Sequence, residues 1–180
     1  MQRRADLRAP RGAQWIRLWM LYLTAFPAAE RKPIRRLLHH RALGRAKIWA
    51  LCRDGKFAGL VMTMESPDLV QLDYLAVRKK ERSSGLGGEA LKLLREKLDG
   101  RPMFLEIEDA DQPGPDQAMR KRRRAFYLRS GMEPLGIRAE VYDVHMELLG
   151  LNCELTFDEY LAFYRDYYRP QAAEHIRPMP

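Results

Sequence analysis

The stretch that most restricts the fold of this chain is Leu72-Asp73-Tyr74-Leu75-Ala76-Val77 followed by Arg78-Lys79-Lys80-Glu81-Arg82-Ser83-Ser84-Gly85-Leu86-Gly87-Gly88. An apolar run with strand character ends, a short polar turn follows, and a helix opens with three glycines near its start. The first amides of a helix have no partner inside it, and the helix dipole adds partial positive charge there. Such a start is an anion site, and glycine lets a phosphate come close to the backbone. Two common phosphate loops do not match. The chain has no G-x-x-x-x-G-K-[ST], and Gly85-Leu86-Gly87-Gly88 lacks the spacing of G-x-G-x-x-G.

The remaining segments surround this handover with the parts of an α/β domain. Residues 1–14 are Arg-rich, carry Pro10 and Gly12, and read as a basic flexible arm with one short strand. A helix is predicted over 15–25, stopping near Pro27, and a second from Pro33, a favourable first position, to just before Gly44. Ile48–Arg53, the turn Asp54-Gly55 and Phe57–Met64 form a hairpin signal, and Leu69–Val77 a third strand. Then come a helix over Gly85–Leu98, a strand over Met103–Glu108 and a helix over Gln117–Ser130 closed by Gly131. Two strands follow, near 135–139 and over Val141–Leu149, and Thr156 with Glu159 makes a capping box for a last helix. The order predicts an α/β (α+β) fold with a mixed, mostly antiparallel sheet and one βαβ crossover. The domain plan is a basic arm over 1–14, a main domain over 15–150, and a C-terminal helix and tail over 151–180.

Charge is uneven. The net value is +8, yet the first 60 residues alone carry +11 and the remaining 120 carry −3. A basic face points to an anionic partner: nucleic acid, an acidic acceptor or a phosphorylated cofactor. Arg17 interrupts the apolar stretch Trp15–Phe26, whose hydrophobic residues fall at helical spacing, so an amphipathic helix is predicted rather than a leader peptide. Trp15, Trp19, Tyr22 and Phe26 follow the same spacing and are expected in the core. No apolar run reaches membrane-spanning length, so no membrane partner is expected. Cys52 and Cys153 are too few for a disulfide framework, which points to a reducing, cytoplasmic setting. His39, His40, His145 and His175 lack metal-ligand spacing, and no metal is expected.

The segment Arg82-Ser83-Ser84-Gly85-Leu86-Gly87 resembles the pyrophosphate-binding signature of the GNAT acetyltransferase superfamily, [QR]-x-x-G-x-[GA]. Phe126-Tyr127-Leu128-Arg129-Ser130-Gly131-Met132 is similar to that superfamily's F-Y-x-x-x-G-[FM]. Phe26–Pro33 resembles the first inter-helix turn of some bacterial members. The resemblance covers residues 15–150 and leaves the C-terminal helix outside the core fold.

It implies a sheet splayed between the Leu69–Val77 and Met103–Glu108 strands, with acetyl-CoA in the splay as cosubstrate. Backbone at Leu75 and Val77 would pair with the pantetheine arm, and the Val77 N–H would polarise the thioester carbonyl. Amides from Ser83, Ser84, Gly85, Leu86, Gly87 and Gly88 would hold the pyrophosphate, with Arg82 nearby. An amine acceptor would then attack directly in a ternary complex. The resemblance makes Tyr127 the general acid for the departing thiolate. For the base, strand parity places Gln71, Asp73, Leu75 and Val77 on one face and Phe104, Glu106 and Glu108 on another. Carboxylates on covered strands are costly unless paired or beside a wet cleft, which puts Glu106 and Asp73 ahead of Glu108 and Glu30.

Where many members of the family have an asparagine early in the fourth helix, this chain has Arg120-Lys121-Arg122-Arg123-Arg124. Those cations are expected to face solvent, a cofactor phosphate or the carboxylates just named. Two further functions stay open at this point: a GNAT-fold protein that binds acyl-CoA without catalysis, and a nucleic-acid-binding module using the basic N-terminal third. A homodimer through the Tyr-rich last helix also stays open, and the acceptor amine is not legible.

Overall fold

A computed structural model describes residues 4–179. The chain divides into two compact units, Met1–Glu65 with Leu72–Gly100, and Ser66–Gln71 with Arg101–Pro180. The sheet is mixed and mostly antiparallel, as the element order predicts.

The first unit holds β1 (Ala5–Arg8), β2 (Ala46–Arg53), β3 (Lys56–Glu65) and Leu72–Val77 of β4 (Val70–Val77), in the order β1-β2-β3-β4. Its helices are α1 (Gln14–Ala25), α2 (Ile34–Ala42) and α3 (Leu86–Leu98). Asp54 (φ 50°) and Gly55 (φ 74°) both take left-handed backbone, the twist that closes a tight hairpin, and join β2 to β3. β1 is the short strand expected in the arm; it pairs antiparallel with β2 from Ala5↔Arg53 to Arg8↔Ala50. Residues 1–3 of that arm lie outside the described residues.

Period-two alternation divides this sheet into two faces. Ile48, Ala50 and Cys52 of β2 bury against Leu18 and Tyr22 of α1 and Leu37 of α2, together with Phe57, Leu60 and Met62 of β3. Phe57 and Leu60 share a face despite odd spacing because the β2–β3 register shifts between Leu51 and Cys52. Trp15, Trp19 and Phe26 pack against the same cluster, as helical spacing predicts. Trp49, between two of the α1-facing residues, instead has Lys97 of α3 over its ring at 5.1 Å. Gly59 sits in the bulged stretch, where a Cβ would lie 2.5 Å from the Ala76 carbonyl oxygen of β4. A Gly59→Ala variant is therefore expected to lose about 2 kcal/mol of stability, read as a lower urea midpoint with unchanged slope.

In the second unit, Val70 and Gln71 of β4 pair in parallel with Met103 and Phe104 of β5 (Met103–Glu108). The order continues β5-β7-β6-β8, all antiparallel, with β6 over Glu133–Val141, β7 over Val144–Leu151 and β8 over Ile176–Pro178. Sequence reading begins β7 at Val141, but Val141 ends β6. Tyr142 (φ 48°) and Asp143 (φ 64°) make the connecting turn without a glycine to announce it. The helices are α4 (Gln117–Arg129), α5 (Phe157–Phe163) and the single turn α6 (Pro170–Ala173). The expected capping box opens α5: the Glu159 N–H donates to Thr156 Oγ1 at 3.3 Å, and the Thr156 N–H donates to Glu159 Oε2 at 2.8 Å. α5 lies on β5 through Phe104, whose ring meets Tyr160 at 5.9 Å and Phe163 at 5.3 Å. A π-helical turn, Tyr164–Tyr168, and strand β8 then follow, neither foreseen from the sequence.

Four buried tyrosines tie stability to pH. Burial raises the phenols of Tyr22 and Tyr74 in the first unit, and of Tyr160 and Tyr164 in the second, above the ordinary 10.0. A group whose folded pKa is raised contributes stability in full below its unfolded pKa and loses it as pH climbs toward the folded value. The urea midpoint is expected to hold from neutral pH to about pH 9 and to fall steadily above about pH 10.

Candidate active site

The strand–turn–helix segment forms as its sequence suggests. After Val77, residues Lys79–Glu81 make one 3₁₀ turn, and α3 begins at Leu86. Gly85 is the residue before the helix and takes the left-handed conformation, φ 80° and ψ −6°. No side chain caps this helix. Its first intrahelical bond runs from the Glu89 N–H to the Gly85 carbonyl at 3.1 Å, so the amides of Leu86, Gly87 and Gly88 precede the ladder. A Cβ built on Gly85 meets nothing within 4 Å, so the space beside this turn is open. Ser83 also has left-handed backbone, φ 59°.

Sequence reading missed what holds this loop. Arg53, the last residue of β2, is buried, and its guanidinium donates to Ser84 Oγ at 2.8 Å and to Glu81 Oε2 at 3.4 Å. Glu89 of α3 lies 3.6 Å from the same group. Ser84 Oγ donates in turn to the Glu81 carbonyl at 2.6 Å. The signal was a cation closing an otherwise apolar strand, which reads equally well as the start of the Asp54-Gly55 turn. Arg82 folds back, its Nε donating to the Val77 carbonyl at 3.4 Å.

Upstream, β4 alternates in the first unit as parity predicts. Leu72, Tyr74 and Ala76 are buried, while Asp73, Leu75 and Val77 stay partly open. Asp73 Oδ1 receives the Lys32 ammonium at 2.5 Å. The same α1–α2 connection is pinned from behind: the Lys32 N–H donates to Tyr74 Oη at 3.1 Å, and Tyr74 donates to the Glu30 carbonyl at 2.8 Å. Tyr22 Oη donates to the Lys32 carbonyl at 2.9 Å.

The second unit holds the other named residues. Glu106 of β5 receives the hydroxyls of Tyr160 and Tyr164 on Oε1, both at 2.7 Å, and the Gln71 amide at 3.2 Å. Tyr164 stacks on Tyr168 at 4.7 Å, and Tyr168 donates to Gln71 Oε1. Both phenols lie in the π turn, and such turns are often found at functional positions. Nothing in the sequence near Glu106 announces partners more than fifty positions away.

The arginine run of α4 is partly explained. Arg124 grips Glu147 of β7 with two bonds, 2.7 and 2.9 Å, while Arg120 and Arg123 stand 3.6 and 4.0 Å from Glu108. Of the earlier alternatives, pairing with strand carboxylates is realised, and Glu108 is one of them. Tyr127 lies on the same helix against Phe126, ring centroids 5.0 Å apart. Burial pushes its phenol up to about 12, Arg123 opposing weakly, so the hydroxyl keeps its proton at neutral pH. Among the described residues, no group of three His, Cys, Asp or Glu side chains is placed to hold a metal, and no helix is long and apolar enough to cross a membrane.

A strand with one open face running into an uncapped, glycine-started helix is the feature that distinguishes this α/β fold. The sequence pattern of the Acetyltransferase (GNAT) family matches residues 15–131, and the chain belongs to that family. A protein named as an acetyltransferase, YjbC of Bacillus subtilis (strain 168), is 32% identical over 104 residues. Those residues are 58% of this chain and 50% of YjbC, so the chain spans about half the length of this relative. A GNAT-family protein of Bacteroides thetaiotaomicron superposes with a TM-score of 0.72 at 21% identity, covering 92% of this chain and 98% of its own. A Bacillus subtilis acetyltransferase in complex with CoA superposes at 0.58 with 16% identity, covering 86% of this chain and 100% of its own. At these identities the structural likeness shows the fold alone.

Proposed function

We propose that the protein transfers an acetyl group from acetyl-CoA to an amine by direct attack in a ternary complex. The observation that carries this reading is the open row of amides at the start of α3, set by Gly85 and braced from below by Arg53. That row suits a pyrophosphate: Ser83, Ser84, Gly85, Leu86, Gly87 and Gly88 offer backbone N–H groups, and Arg82 adds a cation. The partly open face of β4 supports a place for the pantetheine arm along Leu75 and Val77, with the Val77 N–H on the thioester oxygen.

In the step itself the amine forms the new C–N bond, the C–S bond breaks, the amine gives up a proton to a base, and the thiolate takes one. Tyr127 is assigned as the donor to sulfur because Phe126–Met132 matches the family's F-Y-x-x-x-G-[FM]. Glu106 is assigned as the base ahead of Asp73, because the partner of Asp73 is a cation, the Lys32 ammonium. A cation lowers carboxylate basicity more than the neutral Tyr160, Tyr164 and Gln71 donors on Glu106 Oε1. The acceptor is an amine of unspecified class.

Calorimetric titration with acetyl-CoA, followed by thiol release in the presence of amine acceptors, tests the reading. Micromolar binding with acceptor-dependent thiol release is the expected outcome. Binding without release for any amine would instead mark an acyl-CoA-binding protein, and a folded protein that does not bind would remove the reading altogether.

A further inference from the structure

A cleft of about 680 Å³ opens in the first unit between α1, the start of β3 and the turn after β4. Its rim carries Arg17, Lys56, Arg78, Lys79 and Lys80, and no acid lines it. None of these five cations is in an ion pair among the described residues; Arg78 donates to the Phe57 carbonyl at 3.2 Å. Like charges gathered in one concavity repel each other and focus a positive field into it. Such an arrangement is costly for an isolated protein and is relieved by an anionic occupant.

The floor is of the opposite character. Met20, Leu21 and Phe57 line it, and α1 continues the apolar surface outward with Ile16 and Leu23. Ile16, Met20 and Leu23 are 65%, 63% and 48% exposed and stand four and three residues apart, one row on one helix face. An exposed apolar row beside a cationic rim is matched by a segment that presents apolar side chains on one side and carboxylates on the other.

We propose that this cleft is a docking groove for an acidic amphipathic segment of a partner protein. Its apolar side chains seat along Ile16, Met20 and Leu23, and its carboxylates meet Lys79, Lys80 and Arg17. Single-stranded nucleic acid is less well matched, because its bases need exposed aromatic faces and Phe57, the aromatic residue here, is 3% exposed. A membrane surface is less well matched because the site is concave and its apolar row short. None of residues 82–88 lines the cleft, so the groove does not rest on the acetyl-transfer reading and survives its failure.

The test is fluorescence anisotropy of a fluorescein-labelled amphipathic helical peptide of glutamate and leucine, titrated with the full chain at low and physiological salt. The wild type is expected to bind, more weakly as salt rises, and not to bind the same peptide with lysine in place of glutamate. Lys79→Glu with Lys80→Glu, and separately Met20→Asp, should each weaken binding about tenfold while thermal melting is unchanged, since these side chains are exposed. No binding by the wild type, or equal binding by both variants, overturns the proposal. Displacement of the peptide by CoA would give the cleft to the cofactor. Tighter binding of an RNA oligonucleotide or of phosphatidylserine vesicles, lost with the same lysines, would give it to that partner instead.

Discussion

Glu106→Ala should lower stability by about 3 kcal/mol, as much as truncating a large core side chain. One carboxylate oxygen accepts from Tyr160, Tyr164 and Gln71. Both phenols are buried, and a buried hydroxyl left without an acceptor keeps the full cost of leaving water. Bonds to a charged group contribute about 1.5–3 kcal/mol each, and removing the shared acceptor takes several together, partly offset where water enters. Glu106→Gln keeps an acceptor oxygen of the same shape and should cost about 1 kcal/mol. The pair of variants also separates structure from chemistry. If Glu106 is the base, the glutamine variant is near-native in urea yet slower by about two orders of magnitude or more, with its pH–rate profile flattened on the acid side. A Glu106→Ala protein that unfolds at the wild-type urea concentration would mean that the tyrosines do not depend on this carboxylate.

Gly85→Glu together with Gly87→Glu should weaken acetyl-CoA binding by about a hundredfold or more, close to the limit of calorimetric detection. Two effects combine. Gly85 holds φ 80°, where a side chain costs about 1 kcal/mol, and the loop relieves that strain by leaving the backbone geometry that presents its amides. The two new carboxylates also stand where the pyrophosphate is assigned, and a hundredfold loss requires about 2.7 kcal/mol in all. Folding should survive. The side chain at position 85 enters open space, and acidic groups in the first turn favour the helix dipole. Circular dichroism matching the wild type, with binding lost, is the expected result; unaltered binding would place the cofactor elsewhere.

How much of this was legible from sequence follows the range of the forces involved. The α3 start, the β4 alternation and the α5 capping box are set by neighbours within a few positions, and each formed where composition and spacing put it. The Asp54-Gly55 hairpin did too, because the dipeptide itself carries the positive φ. The Tyr142-Asp143 turn uses the same backbone without glycine, so its strands were misdivided. Arg53 and Glu106 were harder for another reason. Their partners, Ser84 and Tyr164, are brought to them only by the sheet, and no local pattern encodes a contact of that span. The arginine run of α4 lies between these cases: its charge was evident, but which arginines meet Glu108 and Glu147 depends on helix phase over the strands.

The three-residue strand β8 has a consequence for how the protein behaves at high concentration. It covers part of β6, pairing with Ala139, Glu140 and Val141, and ends the strand order of the second unit in a segment bearing Arg177 and Pro178. A margin that is short, charged and interrupted by proline gives another chain little backbone to add to, which is how natural sheets resist stacking edge to edge. A chain cut after Arg169 would bare Ala139–Val141 as well, and its first failing would be self-association rather than lost chemistry.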